Sequence, residues 1–227
     1  MPPSFLTRTE LLLGRPALDQ LAASRVAVFG LGGVGGHAAE ALVRSGVGAL
    51  DLIDHDIIVE SNLNRQVIAL RSTLGQSKAE AMKARIHDIN PDCAVIAHDC
   101  FFDAQTQGHF DFTQYDYVID AIDTVTSKLL LAEICTAQGV LLLSCMGTGN
   151  KLDPSQLQFA DIYKTSTCPL AKVMRYKLRR RGVASLRVLY STEMPAVRCQ
   201  PPGSVAFVPS VAGLMLAGEV VRKLIAQ

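Results

Sequence analysis

Val26-Ala27-Val28-Phe29-Gly30-Leu31-Gly32-Gly33-Val34-Gly35-Gly36 is the stretch that decides the fold. A β-branched, apolar run enters Gly-x-Gly-x-x-Gly, spelled by Gly30, Gly32 and Gly35 with Gly33 beside them. That order predicts a strand over Val26 to Phe29, a tight turn, and a helix over His37 to Ser45. Glycines let a backbone approach a phosphate closely. The free N–H groups and dipole of a helix start then favour negative charge. A second apolar strand, Leu50 to Ile53, ends in Asp54, roughly 20 residues beyond the glycines, where a carboxylate can hold a ribose. Such a loop suits NAD, FAD or ATP alike. Its bland alternative is a helix–strand contact that needs small residues and takes no ligand.

The residues after Asp54 narrow the choice. Asn62-Leu63-Asn64-Arg65-Gln66 sets two amides and a guanidinium beyond the second strand, and Lys78 opens a helix over Ser77 to Ile89. A dinucleotide has one pyrophosphate to neutralise and does not need this much positive charge. A triphosphate does, since Arg can fork two phosphate oxygens and Lys acts as a mobile point charge. Asn62, Arg65 and Lys78 are therefore expected to hold phosphates, and the spacing leans towards ATP.

A further strand, Tyr117 to Ile122, ends at Asp123. Ligands of doubly wound sheets gather at the carboxyl ends of strands. A carboxylate there, beside a triphosphate, is a natural magnesium partner. The competing reading of Asp123 is a cap on the helix Thr126 to Gln138. Asp120, inside the run, reads as structural. The remaining elements expected are one or two short helices over Thr7 to Leu21 and strands at Ala94 to Ala97, Val140 to Cys145, Asp153 to Asp161, Val188 to Ser191 and Gly203 to Val208. A closing helix spans Pro209 to Leu224, with Ala212, Gly213, Ala217 and Gly218 suited to close packing in a core or a dimer interface. Gly147 to Lys151 is a loop at a strand end, either an ordinary turn or the wall of a second-substrate pocket. The Pro-rich stretch Met194 to Pro202 reads as mobile.

The chain has 227 residues, 49% of them hydrophobic, enough for one α/β domain with a sizeable core. The expected architecture is a Rossmann-like, doubly wound, mostly parallel sheet with helices on both faces and a smaller C-terminal elaboration. The formal charge of +1 gives no global nucleic-acid signal, and the absence of Trp argues against a base-stacking surface. One segment is strongly biased: Lys164 to Arg187 holds eight cations and no acidic residue, with Val173, Tyr176 and Leu178 as its apolar side. Such a face is usually only solvated. No signal peptide or membrane-length apolar run occurs, so a cytoplasmic location is expected. The six scattered cysteines read as reduced and mostly buried.

These motifs together resemble the ATP-dependent adenylating enzymes of the ThiF, MoeB and HesA group, relatives of ubiquitin-activating enzymes. Four stretches bring the likeness closer to the branch that dehydrates a modified adenosine in tRNA: Arg8-Thr9-Glu10-Leu11-Leu12-Leu13-Gly14, Val118 to Val125, Gly149-Asn150-Lys151-Leu152-Asp153-Pro154 and Asp161-Ile162-Tyr163-Lys164-Thr165. The resemblance covers nearly the whole chain. It implies a single ThiF-type domain over 1–227, with a nucleotide-binding half to about 125 and an acceptor and crossover half beyond it. It implies ATP and magnesium as ligands, a hint of a monovalent cation near the closing loop, and a homodimer in which Arg8 reaches the partner's nucleotide. It also implies tRNA as substrate, with Lys164 to Arg187 as candidate contact, and leaves room for a sulfur-transfer protein partner.

Two departures from the group stand out. The usual Asp-x-x-Asp-Asn motif has Thr124 in place of its Asn, which puts one polar contact in doubt. No Cys-x-x-Cys occurs, where many members carry two such pairs on zinc, so no structural zinc is expected. Three rival readings stand beside the resemblance: adenylation of a ubiquitin-like sulfur carrier, an NAD-dependent oxidoreductase, and a non-catalytic nucleotide- or tRNA-binding protein.

Overall fold

The computed structural model describes residues 4–197, 199 and 201–226. Seven strands form one sheet in the order β3-β2-β1-β4-β5-β7-β6. They are β1 (Arg25–Phe29), β2 (Ala49–Ile53), β3 (Ala94–His98), β4 (Tyr117–Asp120), β5 (Leu142–Cys145), β6 (Leu157–Asp161) and β7 (Arg187–Ser191). All neighbours run parallel except the edge strand β6, which pairs antiparallel with β7. Between the strands lie α1 (Thr7–Leu13), α2 (Arg15–Ala23), α3 (Gly35–Arg44), α4 (Lys78–Ile89), α5 (Val125–Gln138), α6 (Pro169–Arg180) and α7 (Phe207–Leu224).

Why β1 reads as unbroken apolar residues is visible in its surroundings. Val26 and Val28 face a core shared with α3, α4 and α7, whereas Ala27 and Phe29 face a second core containing Phe102, Phe110 and Phe112. A strand covered on both faces has no polar side to display. Phe29 stacks on Phe112 at 5.9 Å between ring centroids and meets Phe102 edge-on at 4.8 Å. A third cluster under α6 closes the C-terminal end. The chain reverses its winding between β1 and β4, so the carboxyl ends of those strands part and open a crevice.

Three expectations are corrected. Gly203 to Val208 is not a strand: α7 already begins at Phe207, because Val208, Ala212, Leu216 and Val220 recur at helical spacing and Pro209 is tolerated in a first turn. The strand at Tyr117 stops at Asp120 rather than Ile122, since the Asp120 carboxylate accepts the Ile122 N–H at 3.1 Å and turns the chain out of the sheet. The buried face of α6 is Ala171, Met174 and Leu178, while Val173 and Tyr176 are exposed. Among the other boundaries, β5 starts at Leu142, because the Val140 N–H is taken by the Cys135 carbonyl at the end of α5.

The small residues of α7 serve the core. Ala212 and Ala217 are buried, and a Cβ on Gly213 would lie 2.2 Å from the Val34 carbonyl oxygen and 2.9 Å from His37 Cβ. At Gly218 the nearest atom would be the flexible tip of Arg222, at 3.4 Å. Gly213→Ala should therefore lower stability in chemical denaturation by about 1–3 kcal/mol through overpacking. Gly218→Ala should leave stability unchanged or raise it by up to about 1 kcal/mol through helix propensity.

Candidate functional site

The two outer glycines of the turn between β1 and α3 are required by the fold itself. Gly30 has φ +88°, and a Cβ there would sit 2.7 Å from the Ala121 carbonyl oxygen. A Cβ on Gly35 would sit 1.7 Å from the Gly30 oxygen. Backbone thus touches backbone where β1, α3 and the end of β4 meet. Gly32 differs: its added Cβ would find only Gln66 Nε2, at 3.9 Å. The turn at Gly32 is left open for something else to approach.

What it faces is a cavity of about 320 Å³ at the carboxyl ends of β1, β2 and β4. Gly30, Gly32 and Gly33 form one wall, Asp54, Asn62, Arg65 and Lys78 a second, and Asp123 with Thr124 a third. The structure therefore gathers eight sequence-selected residues, from five separate stretches of chain, around one space. Gly35 lies behind the wall as a packing contact. Arg8 is exposed on α1 and does not line the cavity of its own chain.

Each polar group is held in place. Asp54 accepts the Leu31 N–H at 2.6 Å and the Asp56 N–H at 2.9 Å, so this carboxylate fixes the glycine turn as well as facing the cavity. Asn62 is buried and its side-chain Oδ1 accepts the Val59 N–H at 3.1 Å. Arg65 spends Nη1 on the Ser61 carbonyl and the Asn64 side chain, both at 2.8 Å. Lys78 is buried, with its ammonium 2.6 Å from Asp56. Asp123 does not cap the following helix: α5 has no side-chain cap bond, and among the described residues the exposed Asp123 carboxylate accepts only the Thr124 hydroxyl, at 3.4 Å. Asp54, His55 and Asp56 bring one ligand atom each within 4.8 Å of one another at the same cavity.

A polyphosphate fits this lining because Arg65 and Lys78 bring two cations to the cavity beside an open glycine turn. Gln66 Oε1 is buried without a hydrogen-bond partner among the described residues, on a side chain that lines the cavity, and as an acceptor it suits a hydroxyl or amino donor of a nucleoside rather than a phosphate oxygen. Gly32 leaves the approach open beside it. Gln66 stood in the quoted Asn-x-Asn-Arg-Gln stretch, yet nothing in a lone amide marked it as a contact. Phe101, Phe102 and Ile122 supply an apolar patch of the lining, and Thr148 and Ser204 extend it towards the Gly147–Lys151 loop and the start of α7.

That loop also anchors the described part of the Met194 to Pro202 stretch; Arg198 and Gln200 of it lie outside the described residues. Asn150, at φ +59°, donates its N–H to the Gly203 carbonyl at 2.7 Å, and its side-chain oxygen accepts the Gly203 N–H at 2.6 Å. Its carbonyl accepts the Ala196 N–H at 2.8 Å, and Asn64 reaches the Ser204 carbonyl at 3.0 Å. Lys151 donates to the Glu193 carbonyl.

The α6 cations are partly engaged within the chain. Arg175 donates to the Thr165 carbonyl at 2.9 Å, Arg179 lies over the Tyr163 ring, Arg180 lies over the Tyr176 ring, and Arg181 pairs with Glu133. Lys164, Lys172 and Lys177 have no carboxylate partner among the described residues.

A nucleotide-binding α/β protein with its site at the switch point of a doubly wound sheet is the class that this fold and lining define. The chain belongs to the ThiF family, whose model matches residues 6–227. The tRNA threonylcarbamoyladenosine dehydratase of Bacillus subtilis (strain 168) is 47% identical over 238 residues, covering 96% of this chain and 94% of that one. Its counterpart in Escherichia coli (strain K12) is 39% identical over 212 residues, covering 90% and 79%. The crystal structure of E. coli tRNA N6-threonylcarbamoyladenosine dehydratase, TcdA, in complex with ATP superposes with a TM-score of 0.91 at 36% identity, over 96% of this chain and 93% of that one. A complex of the same E. coli protein with AMP gives the same TM-score, 0.91. No helix among the described residues is long and apolar enough to cross a membrane.

The open turn and the buried thiols can each be probed. Gly32→Ala should fold with unchanged stability, because its Cβ meets nothing closer than 3.9 Å, yet weaken ATP in calorimetry by about tenfold or more by blocking a backbone contact. Burial pushes the Cys135 and Cys145 thiols up to about 12 and Cys93 up to about 11. A raised thiol pKa means no thiolate until the pH climbs past it. In the folded protein at about pH 8, Cys93, Cys135 and Cys145 should resist a thiol reagent while the exposed Cys199 reacts. Rapid labelling of Cys145 would contradict this.

Proposed function

We propose that this protein catalyses the ATP-dependent dehydration of threonylcarbamoyladenosine in tRNA. The carboxylate of the threonylcarbamoyl side chain attacks the α-phosphorus of ATP, and the bond to pyrophosphate breaks. The adenylated carboxyl carbon is then attacked from within the same side chain. A ring closes, and AMP departs with the former carboxylate oxygen. One water is lost overall. The observation that carries this reading is the 47% identity to the B. subtilis dehydratase over nearly the full length of both chains.

This chemistry asks for alignment, charge neutralisation and water exclusion rather than a protein nucleophile. The buried, protonated thiols near the sheet agree with that demand. Gly30, Gly32, Gly33 and Gly35 build the turn that takes the nucleotide, with Asp54 on the ribose. Asn62, Arg65 and Lys78 take the phosphates, and Lys78 exchanges its Asp56 partner for phosphate oxygen. Asp123 would hold magnesium, which would polarise phosphoryl oxygens and offset the charge of the pyrophosphate. Arg8 acts from the second subunit of a homodimer. Beside it on α1, Leu11 and Leu12 are 85% and 83% exposed, an apolar strip suited to a subunit contact. Lys164, Lys172 and Lys177 offer the free charge for the tRNA backbone. Because the reaction needs both tRNA and ATP, its compartment is the cytoplasm.

Exchange of labelled pyrophosphate into ATP tests the adenylation step. It should require tRNA bearing threonylcarbamoyladenosine, and Arg65→Ala or Asp123→Ala should each slow it by about 100-fold or more if each acts on transition-state charge. Exchange that ignores this tRNA and starts on addition of a ubiquitin-like sulfur carrier would overturn the proposal. A full-speed Asp123→Ala protein would remove that residue from the mechanism.

A further inference from the structure

Lys128 is a fully buried charge that the reaction above does not use. It lies in the N-terminal part of α5, and its side chain is 0% exposed. Its ammonium is 3.0 Å from Asp120 Oδ2, and it donates to the Ile122 carbonyl at 3.0 Å and the Cys145 carbonyl at 2.8 Å. The ammonium thus has two carbonyl acceptors and one carboxylate as its ion-pair partner. Asp120 is equally enclosed: it accepts the Ser144 hydroxyl at 2.5 Å and the Ile122 N–H at 3.1 Å.

The position of these bonds matters more than their number. Ile122 is the residue before Asp123, and the ion pair holds it twice, Asp120 by its N–H and Lys128 by its carbonyl. Ala121, one step earlier, donates to the Phe29 carbonyl at 2.8 Å and packs against Gly30. The second Lys128 hydrogen bond ends on Cys145, the last residue of β5, from which the chain runs through Thr148 of the cavity lining to the Asn150 loop. One buried ammonium therefore ties together the ends of β4 and β5, each of which carries a wall of the cavity.

Burying an ion pair is not an efficient way to stabilise a fold, since desolvation consumes most of the attraction. Such a pair is better explained by the geometry it specifies. We propose that Lys128 is a positioning residue: through the Ile122 and Cys145 carbonyls it sets Asp123 and the Thr148 wall relative to the glycine turn. This rests on the reading of Asp123 as the magnesium partner. Lys128 itself does not line the cavity.

Lys128→Met alone would strand the Asp120 charge and destabilise the fold, so the informative protein is Asp120→Asn/Lys128→Met. The new side chains are close in volume to the originals. The amide oxygen introduced by Asp120→Asn can still accept the Ile122 N–H, while the Ile122 and Cys145 carbonyls lose their shared donor. Three results are expected. In ligand-free protein, amide hydrogen exchange at residues 121–124 and 146–149 should speed up by about tenfold while α3 and α4 keep their protection. ATP affinity measured without magnesium should change by no more than about threefold, whereas turnover should fall by about 100-fold, as a small displacement of a reacting group can cost. In an Asp123→Ala background the same double substitution should add less than about threefold, since coupled residues are not additive.

Unchanged exchange at 121–124, or a turnover loss that multiplies fully with Asp123→Ala, would overturn the proposal. If Asp123→Ala alone proved fully active, the magnesium assignment would fail. The exchange rates would then decide by themselves whether Lys128 holds the turn.

Discussion

The structure depends on a backbone contact that only glycine permits. With no side chain at Gly35, α3 starts against the Gly30 carbonyl, and with none at Gly30, β1 ends against the Ala121 carbonyl. These two approaches bring the ends of β1 and β4 to the start of α3 and fix the mouth of the crevice. Remove that closeness and the helix start moves away from the place where its N–H groups could meet a phosphate. Gly213 repeats the device on the outer side, where α7 lies directly on the Val34 carbonyl and braces α3. Fold and site are here one constraint: the spacing that packs the helix is the spacing that admits the ligand.

Charge around the cavity is organised by the chain before any ligand arrives. Asp54 holds the glycine turn, Asp56 holds Lys78, and the Ser61 carbonyl steers Arg65. The glycine turn and Arg65 have lost most of their freedom already, which leaves the change of partner at Lys78 as the main reorganisation for binding to drive. The same logic extends inward. Asp120 and Lys128 fix the turn that carries Asp123, and Asp51 anchors the next strand through Arg25, His98 and the Tyr115 hydroxyl. The Tyr115 hydroxyl is held protonated by burial and by the Asp51 charge. Polar pairs thus hold the end of β4 and, from Asp51 in the middle of β2, the start of β1 and the end of β3.

Much of this was legible in the sequence because it is written locally. The apolar run into glycines, the acidic residue after β2 and the Asn-Leu-Asn-Arg-Gln stretch each lie within one short segment, and each landed at the cavity. What escaped depends on partners distant in sequence. Lys128 looks like any helix lysine until β5 supplies the Cys145 carbonyl, and Gln66 acquires meaning only when its oxygen is found without a donor. The start of α7 was misread because Gly203 to Val208 has strand-like residues, while the deciding contacts, with α3, lie far back along the chain. On α6, Val173 and Tyr176 looked like the buried face; the neighbouring row of Ala171, Met174 and Leu178 faces the cluster that closes the C-terminal end.

The central claim is a chemical one, that a carboxylate on tRNA is activated by ATP and lost as water. Mass spectrometry of nucleosides from tRNA incubated with purified protein, ATP and magnesium tests it most directly. The account predicts that threonylcarbamoyladenosine loses the mass of one water only when ATP is present. An unchanged nucleoside, in tRNA that the protein demonstrably binds together with ATP, would contradict it.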